Sequence, residues 1–158
     1  IQQIEAIKEF NILIALFDFQ LHVFDLQRFQ LQNSIVKTKS CSLFAYSVSA
    51  SENLLRLVVA CKRKLQFFYL NTNNFKFMEL MSDLELSDIP RTLEITKDNL
   101  VIFSLRKEFY YYELPATVNT TNQNKQPELK FTTSNRTLDP LCEKLYNGDF
   151  LVGIEENK

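Results

Sequence analysis

The sequence predicts an all-β protein, an arc of a β-propeller, from an internal repeat and from the pattern of its apolar residues. Residues 55–70 align without a gap with residues 11–26 and with residues 99–114, so the repeat has a period of 44 residues. Periods of about 40–50 residues that contain hairpin signals are typical of propeller blades. Short apolar runs and period-2 alternation dominate the chain, and no amphipathic helical pattern of useful length is present.

The repeat divides the chain into units 1–37, 38–82 and 89–134 and a partial unit 138–158. Each complete unit is predicted to form four strands joined by short connections. The predicted strands lie at residues 4–7, 11–17, 20–26 and 29–36, at 42–48, 54–61, 65–70 and 75–81, at 91–95, 99–105, 108–114 and 128–133, and at 141–145 and 150–154. About three and a half blades do not close a ring, so we expect part of a larger propeller with exposed edges. A compact β-sandwich or barrel is the alternative, and the repeat argues against it.

Three connections carry further expectations. The polar residues 71–74 are typical of a turn that closes a hairpin. Residues 82–88 read as a solvated acidic loop that leads to Pro90, which suits the entry to a strand or an edge strand. The polar segment 117–127 is expected to be mobile.

Composition places the chain in the globular class and gives it no strong overall charge. Of its 158 residues 46% are hydrophobic, and the net charge is -1, so an electrostatic partner would need a local patch. No apolar run approaches the roughly 18–20 residues that span a bilayer. The chain starts without Met or a signal-peptide pattern, which suggests a piece of a longer protein. Cys41, Cys61 and Cys142 are expected to be reduced thiols of a cytosolic protein.

The residue types needed for catalysis are scarce, so we predict that the chain is not an enzyme and binds no cofactor, metal or small-molecule substrate. His22 is the only histidine, and a nucleophile–base arrangement would have to pass through it. In a strand-like segment it is expected to be a packed or surface residue. The carboxylates Asp83, Glu85 and Asp88 could in principle pair for acid–base chemistry. Two glycines cannot build a phosphate-binding loop, and the absence of Trp removes the Trp-Asp signature of WD40 blades.

A cluster of cations is the most informative polar feature. The repeat places two basic runs at equivalent hairpin turns, between the second and third strands of adjacent units. In a four-stranded meander these turns lie at the same end as the connections between units, so further lysines join the same face. We predict a partner-binding surface there, although charged turns also arise simply because they discourage edge pairing. The predicted surface comprises Lys62, Arg63, Lys64, Arg106, Lys107, Lys37 and Lys39.

Two aromatic runs, at residues 67–69 and 109–112, also repeat at 44 residues. Because they fall on the same apolar strand of adjacent units, we expect them to pack between blades rather than to form a ligand cage. Aromatic residues are not interleaved with the cations, so the sequence predicts no nucleic-acid partner.

Five runs of the sequence carry a resemblance to a known family. They are HVFDLQRFQL (22–31), KTKSCSLFA (37–45), LRLVVACKRKLQFFY (55–69), DIPRTLE (88–94) and LDPLCEKLYNGDFLVG (138–153). Together they resemble the citron homology domain, in particular the version found in the vacuolar-morphogenesis family of HOPS and CORVET tethering subunits, which includes the TGF-β-receptor-associated relatives. The likeness covers nearly the whole chain. One departure is the turn at residues 17–19, Phe-Asp-Phe, where the family usually has small residues and a glycine; it suggests divergence or a local partner contact.

The resemblance implies a seven-bladed propeller that serves as a non-enzymatic module in vesicle tethering. It implies fusion of endosomes and autophagosomes with the lysosome or vacuole, and partners that include other tethering subunits and a Rab-type small GTPase. It also implies a cytoplasmic protein held peripherally on late endosomal, lysosomal or vacuolar membranes, and the cation cluster is a candidate for contact with anionic lipid there. The alternatives are the regulatory citron homology domain of a larger protein kinase and a scaffold propeller of unrelated role.

Overall fold

The computed structural model describes residues 2–49, 51–96, 98–106, 108–115, 128–132, 142–144 and 150–152. Within these ranges the chain forms antiparallel β-sheets and two short 3-10 helices, Lys8–Phe10 and Val36–Thr38, but no α-helix. The prediction of an all-β fold is confirmed. The segment 117–127, the residue Lys107 and the ends of the predicted strands 141–145 and 150–154 lie outside the described residues.

Three four-stranded meanders follow one another along the chain, and we call them blades 1, 2 and 3. Blade 1 contains β1 (Gln3–Ile7), β2 (Ile12–Phe17), β3 (Gln20–Asp25) and β4 (Leu31–Ser34). Blade 2 contains β5 (Cys41–Ser49), β6 (Leu54–Cys61), β7 (Lys64–Asn71) and β8 (Lys76–Glu85). Blade 3 contains β9 (Pro90–Ile95), β10 (Leu100–Leu105), β11 (Glu108–Glu113) and β12 (Glu128–Thr132). A final hairpin pairs β13 (Cys142–Lys144) with β14 (Phe150–Val152).

Two predicted boundaries are wrong for identifiable reasons. The strand expected at 29–36 is only β4, because Phe29 turns the chain with a φ of 53° and a 3-10 helix begins at Val36. The loop expected at 82–88 is partly strand, since β8 continues to Glu85 opposite Lys64. Pro90, by contrast, opens β9, which is an edge strand of its sheet, as predicted.

Blade 2 is covered on both faces, which explains why its middle strands read as continuous apolar runs. Successive side chains of a strand point to opposite faces of the sheet. In β7 the neighbours Phe68 and Phe67 therefore enter different cores, and they are 3% and 1% exposed. The first core lies between blades 1 and 2, and the second core lies between blades 2 and 3. Tyr112 of the second aromatic run stacks on Phe67 in the second core, with ring centroids 5.7 Å apart, so side chains of both runs pack between blades 2 and 3, as predicted.

The first strands of the blades are neighbours, which gives the sheets the arrangement of propeller blades. The side chain of Gln3 in β1 bridges to β5: its Nε2 donates to Phe44 O at 2.9 Å and its Oε1 accepts from Phe44 N at 3.1 Å. Farther along, β5 contacts β9, and β9 contacts β13. Because three successive sheets stack through two separate cores, the two-layer sandwich does not fit, and the partial propeller is confirmed.

Candidate partner-binding surface

The turns between the second and third strands of the blades share a strained backbone conformation. Asp18 and Phe19 in blade 1, Lys62 in blade 2 and Arg106 in blade 3 all have φ between 51° and 56°. Left-handed φ is unfavourable for residues with a Cβ, by about 1–2 kcal/mol each. These two-residue turns match the twist of the flanking strands, and their described residues are exposed, namely Asp18, Phe19, Lys62, Arg63 and Arg106.

A buried threonine presents two of the predicted lysines on the same face. Thr38 is 0% exposed in the connection between β4 and β5. Its Oγ1 donates to Ile35 O at 2.6 Å and accepts from Leu21 N at 3.1 Å. With Thr38 directed inward against β3, its neighbours Lys37 and Lys39 are exposed.

Five of the seven predicted cations line one cavity of about 630 Å³, which we call the basic cavity. It lies where the turn between β6 and β7 meets the connection between β4 and β5. The lining residues are Lys37, Lys39, Lys62, Arg63, Lys64, Cys61, Gln66, Asp83, Glu85 and Ile89. Five cations face two carboxylates here, so the cavity is positive within a chain whose net charge is -1.

Carboxylates pair with some of these cations and leave others available. Lys64 Nζ lies 2.7 Å from Glu85 Oε1, and this contact raises the pKa of Lys64. Lys37 pairs with Glu79 of β8. Among the residues that the structure describes, Lys62 and Arg63 form no ion pair, and both are exposed. The same holds for Lys39, so these three side chains are available for a partner.

Arg106 belongs to the same face but not to the basic cavity. Its Nε donates to Asp88 Oδ2 at 2.6 Å, which raises the pKa of Arg106 and lowers that of Asp88. Ile89, which follows Asp88 in the chain, is 46% exposed and lines the basic cavity. The ion pair of Arg106 and Asp88 therefore lies beside the cavity. Lys107, the remaining predicted cation, is outside the described residues.

The prediction of a solvated acidic loop missed the carboxylates inside the cavity. Asp83 and Glu85 lie on β8 and line the cavity, whereas Asp88 pairs with Arg106. Counting outward from the turn at 72–75 in regular register would have placed Asp83 opposite Lys64, whereas the structure places Glu85 there. Two register shifts, between Leu65 and Phe67 and between Phe67 and Phe68, move the partner by two residues, and the sequence does not show them.

His22 is a packed strand residue, as predicted. Its ring stacks on Phe17 with centroids 3.9 Å apart, and its Nδ1 lies 2.9 Å from Ser34 Oγ. In the divergent turn at residues 17–19, Asp18 and Phe19 are exposed, whereas Phe17 is half-buried. Within the described ranges, no three His, Cys, Asp or Glu side chains are grouped so that they could hold a metal ion. The same ranges contain no helix that is long and apolar enough to cross a bilayer.

Comparison with known proteins gives one family and several relatives. The family model for the CNH domain, the citron homology domain, matches residues 1–156. The chain is 28% identical over 159 residues to a human protein named "Vam6/Vps39-like protein" and 30% identical over 168 residues to the Drosophila melanogaster "Vacuolar protein sorting-associated protein 39 homolog". These matches cover 99% of the chain but only 17% and 18% of the relatives. The chain belongs to the CNH domain family.

Proposed function

We propose that this chain is a non-enzymatic interaction module of a vesicle-tethering subunit, and that its basic cavity receives a Rab-type small GTPase. The tethering role would serve fusion of endosomes and autophagosomes with the lysosome or vacuole. Relatives named for vacuolar protein sorting support this role, although the chain corresponds to only 17–18% of their length. The observation that carries the choice of surface is the convergence of five cations on one cavity of a nearly neutral chain.

The mechanism is the rigid display of charge. Blade 2 is fixed through both faces by the first and second cores, so the turn that carries Lys62 and Arg63 has a stable base. Positive potential on one face accelerates the encounter with an acidic protein surface and suppresses wrong partners. The same face could rest on an anionic membrane while the protein binds its complex partners elsewhere.

The test uses the full-length protein with Lys62→Glu and Arg63→Glu introduced together. Immobilised late-endosomal Rab GTPases, loaded with a GTP analogue or with GDP, are assayed for retention at physiological salt. We expect GTP-selective retention by the wild type and its loss in the double variant, because two cations become two anions at the cavity.

The matched control is Lys8→Glu with Lys76→Glu, an equal charge change at exposed positions on the opposite end of the blades. This control should retain the GTPase. Retention that survives the reversal at Lys62 and Arg63 in a folded variant would contradict the proposal, as would equal loss in the control. Binding of the wild type to anionic vesicles but not to any GTPase would point to the membrane instead.

A further inference from the structure

A pair of cysteines faces each other across the first two strands of blade 2. Cys41 at the start of β5 and Cys61 at the end of β6 are direct partners in the antiparallel register. Both are free and buried, with 0% and 7% of their surface exposed, and both belong to the first core. Opposed partners on the same face of a sheet have adjacent side chains.

The backbone geometry of this pair suits a covalent bond. Cys41 N donates to Phe19 O at 3.1 Å, so its N–H points toward blade 1 and not toward Cys61. The pair is therefore of the non-hydrogen-bonded kind, for which Cα atoms are about 4.5 Å apart and side chains are closest. Disulfides need a Cα separation of about 4.4–6.8 Å. A register shift between Cys41 and Leu43 places one extra residue in β5 beside this pair and bends the strand.

The two thiols also influence each other's ionisation. Interaction with Cys61 lowers the pKa of Cys41, whereas interaction with Cys41 and burial raise the pKa of Cys61. Loss of one proton from the pair therefore leaves the charge on Cys41, the thiol with the lowered pKa. Cys61 lines the basic cavity, so the pair borders a space from which a small oxidant would approach.

We propose that Cys41 and Cys61 form a dithiol site at which hydroperoxides make a cross-strand disulfide. One sulfur attacks a peroxide oxygen, the O–O bond breaks, and the product is a sulfenic acid and one water. The other sulfur attacks the sulfenic sulfur and displaces a second water as the S–S bond forms. Two thiols lose two electrons and two protons, and hydrogen peroxide is reduced to two waters.

Oxidation of these two thiols would also change the hydrogen bonds of a residue that lines the basic cavity. The Cys61 thiol donates a hydrogen bond to Gln66 Oε1 at 3.2 Å, and Gln66 Nε2 donates one to Asp83 Oδ2 at 3.4 Å. A disulfide has no proton to donate, so Gln66 loses one partner and its hold on Asp83 changes. The dithiol and a carboxylate of the cavity are thus linked through one side chain.

The experiment treats the native full-length protein with hydrogen peroxide, blocks the remaining thiols by alkylation and analyses the tryptic peptides without reduction. The disulfide would join peptides 40–56 and 57–62, with the loss of two hydrogens, and dithiothreitol should release them. Cys41→Ser and Cys61→Ser should each abolish the linked peptide. Cys142→Ser is the control and should retain it.

Two results would overturn the proposal. One is the absence of the linked peptide from the native protein when the same protein, unfolded in guanidinium, does form it. The other is linkage to Cys142 in place of the cross-strand pair. A probe that needs no oxidant supplies an independent check: phenylarsine oxide condenses with two adjacent thiols and releases one water, so one equivalent should protect both Cys41 and Cys61 from alkylation. Protection of neither would also count against the dithiol.

Discussion

The two junctions between described blades have the same topology but are fastened by different chemistry. At the first junction, between blades 1 and 2, the buried Thr38 and the bond from Cys41 N to Phe19 O join the connection to the neighbouring turn. At the second junction, between blades 2 and 3, the backbone bond from Leu86 N to Arg63 O at 2.8 Å is supplemented by the exposed ion pair of Arg106 and Asp88. Buried hydrogen bonds thus hold the first connection in place, whereas an ion pair at the surface helps to hold the second.

The two kinds of interaction differ in how much they stabilise the fold and in which cations they leave available to a partner. A buried hydroxyl is insensitive to salt and costs much to remove, whereas an exposed ion pair is screened by salt and contributes little. The first junction uses Thr38 for the fold, which leaves Lys37 and Lys39 at the surface. The second junction uses Arg106 locally, so that cation is less available to a partner.

The largest expected effect concerns the cores on which both junctions depend. Phe67→Ala and Phe68→Ala make the same change at adjacent buried positions that face the second and first cores. Each should lower the free energy of unfolding by about 3–5 kcal/mol, measured by denaturant titration. Phe75→Ala, at a ring that is 52% exposed, is the control and should change it by less than about 0.5 kcal/mol. A strong effect at only one of Phe67 and Phe68 would mean that one junction opens independently of the other.

An intermediate effect is expected for Thr38→Val, which keeps the shape of the side chain and removes its hydrogen bonds. The Leu21 N–H would be left buried without its acceptor, so the free energy of unfolding should fall by about 1–3 kcal/mol, independently of salt. Thr72→Val, in the turn between β7 and β8, serves as the control. An unchanged denaturation midpoint for Thr38→Val would show that the first junction does not depend on this hydroxyl.

The smallest effect is expected for Asp88→Asn at the second junction. The contact with Arg106 lowers the pKa of Asp88, so the stability it contributes is present above the unfolded pKa of about 3.9 and is lost as the pH falls through the lower folded value. The loss of stability in Asp88→Asn should therefore be smaller than in Thr38→Val, should shrink as salt is added and should vanish in acid. Thermal melts at several salt concentrations and pH values measure this. A loss at neutral pH that is unchanged in high salt would contradict the comparison.

Much of the fold could be predicted from the sequence because strands and tight turns produce patterns that span only a few residues. The 44-residue repeat and the two-residue turns at Lys62 and Arg106 placed most strands to within a few residues. The errors occurred where a local irregularity interrupted the period, at Phe29 and in the continuation of β8 to Glu85. Arg56 was also missed: it lies within an apolar strand, is 1% exposed and has Glu52 at 3.7 Å.

The sequence by itself determined the class, the blades and the face on which the cations gather, because alternation and turn chemistry act over a few residues. Only the tertiary structure decided which charges meet. Strand register places Lys64 beside Glu85 and Cys41 opposite Cys61. The fold of the connection between β8 and β9 against the neighbouring turn brings Asp88 to Arg106, with which it forms an ion pair. The interactions of charges and thiols vary steeply with distance, and sequence patterns do not fix distances between separate strands.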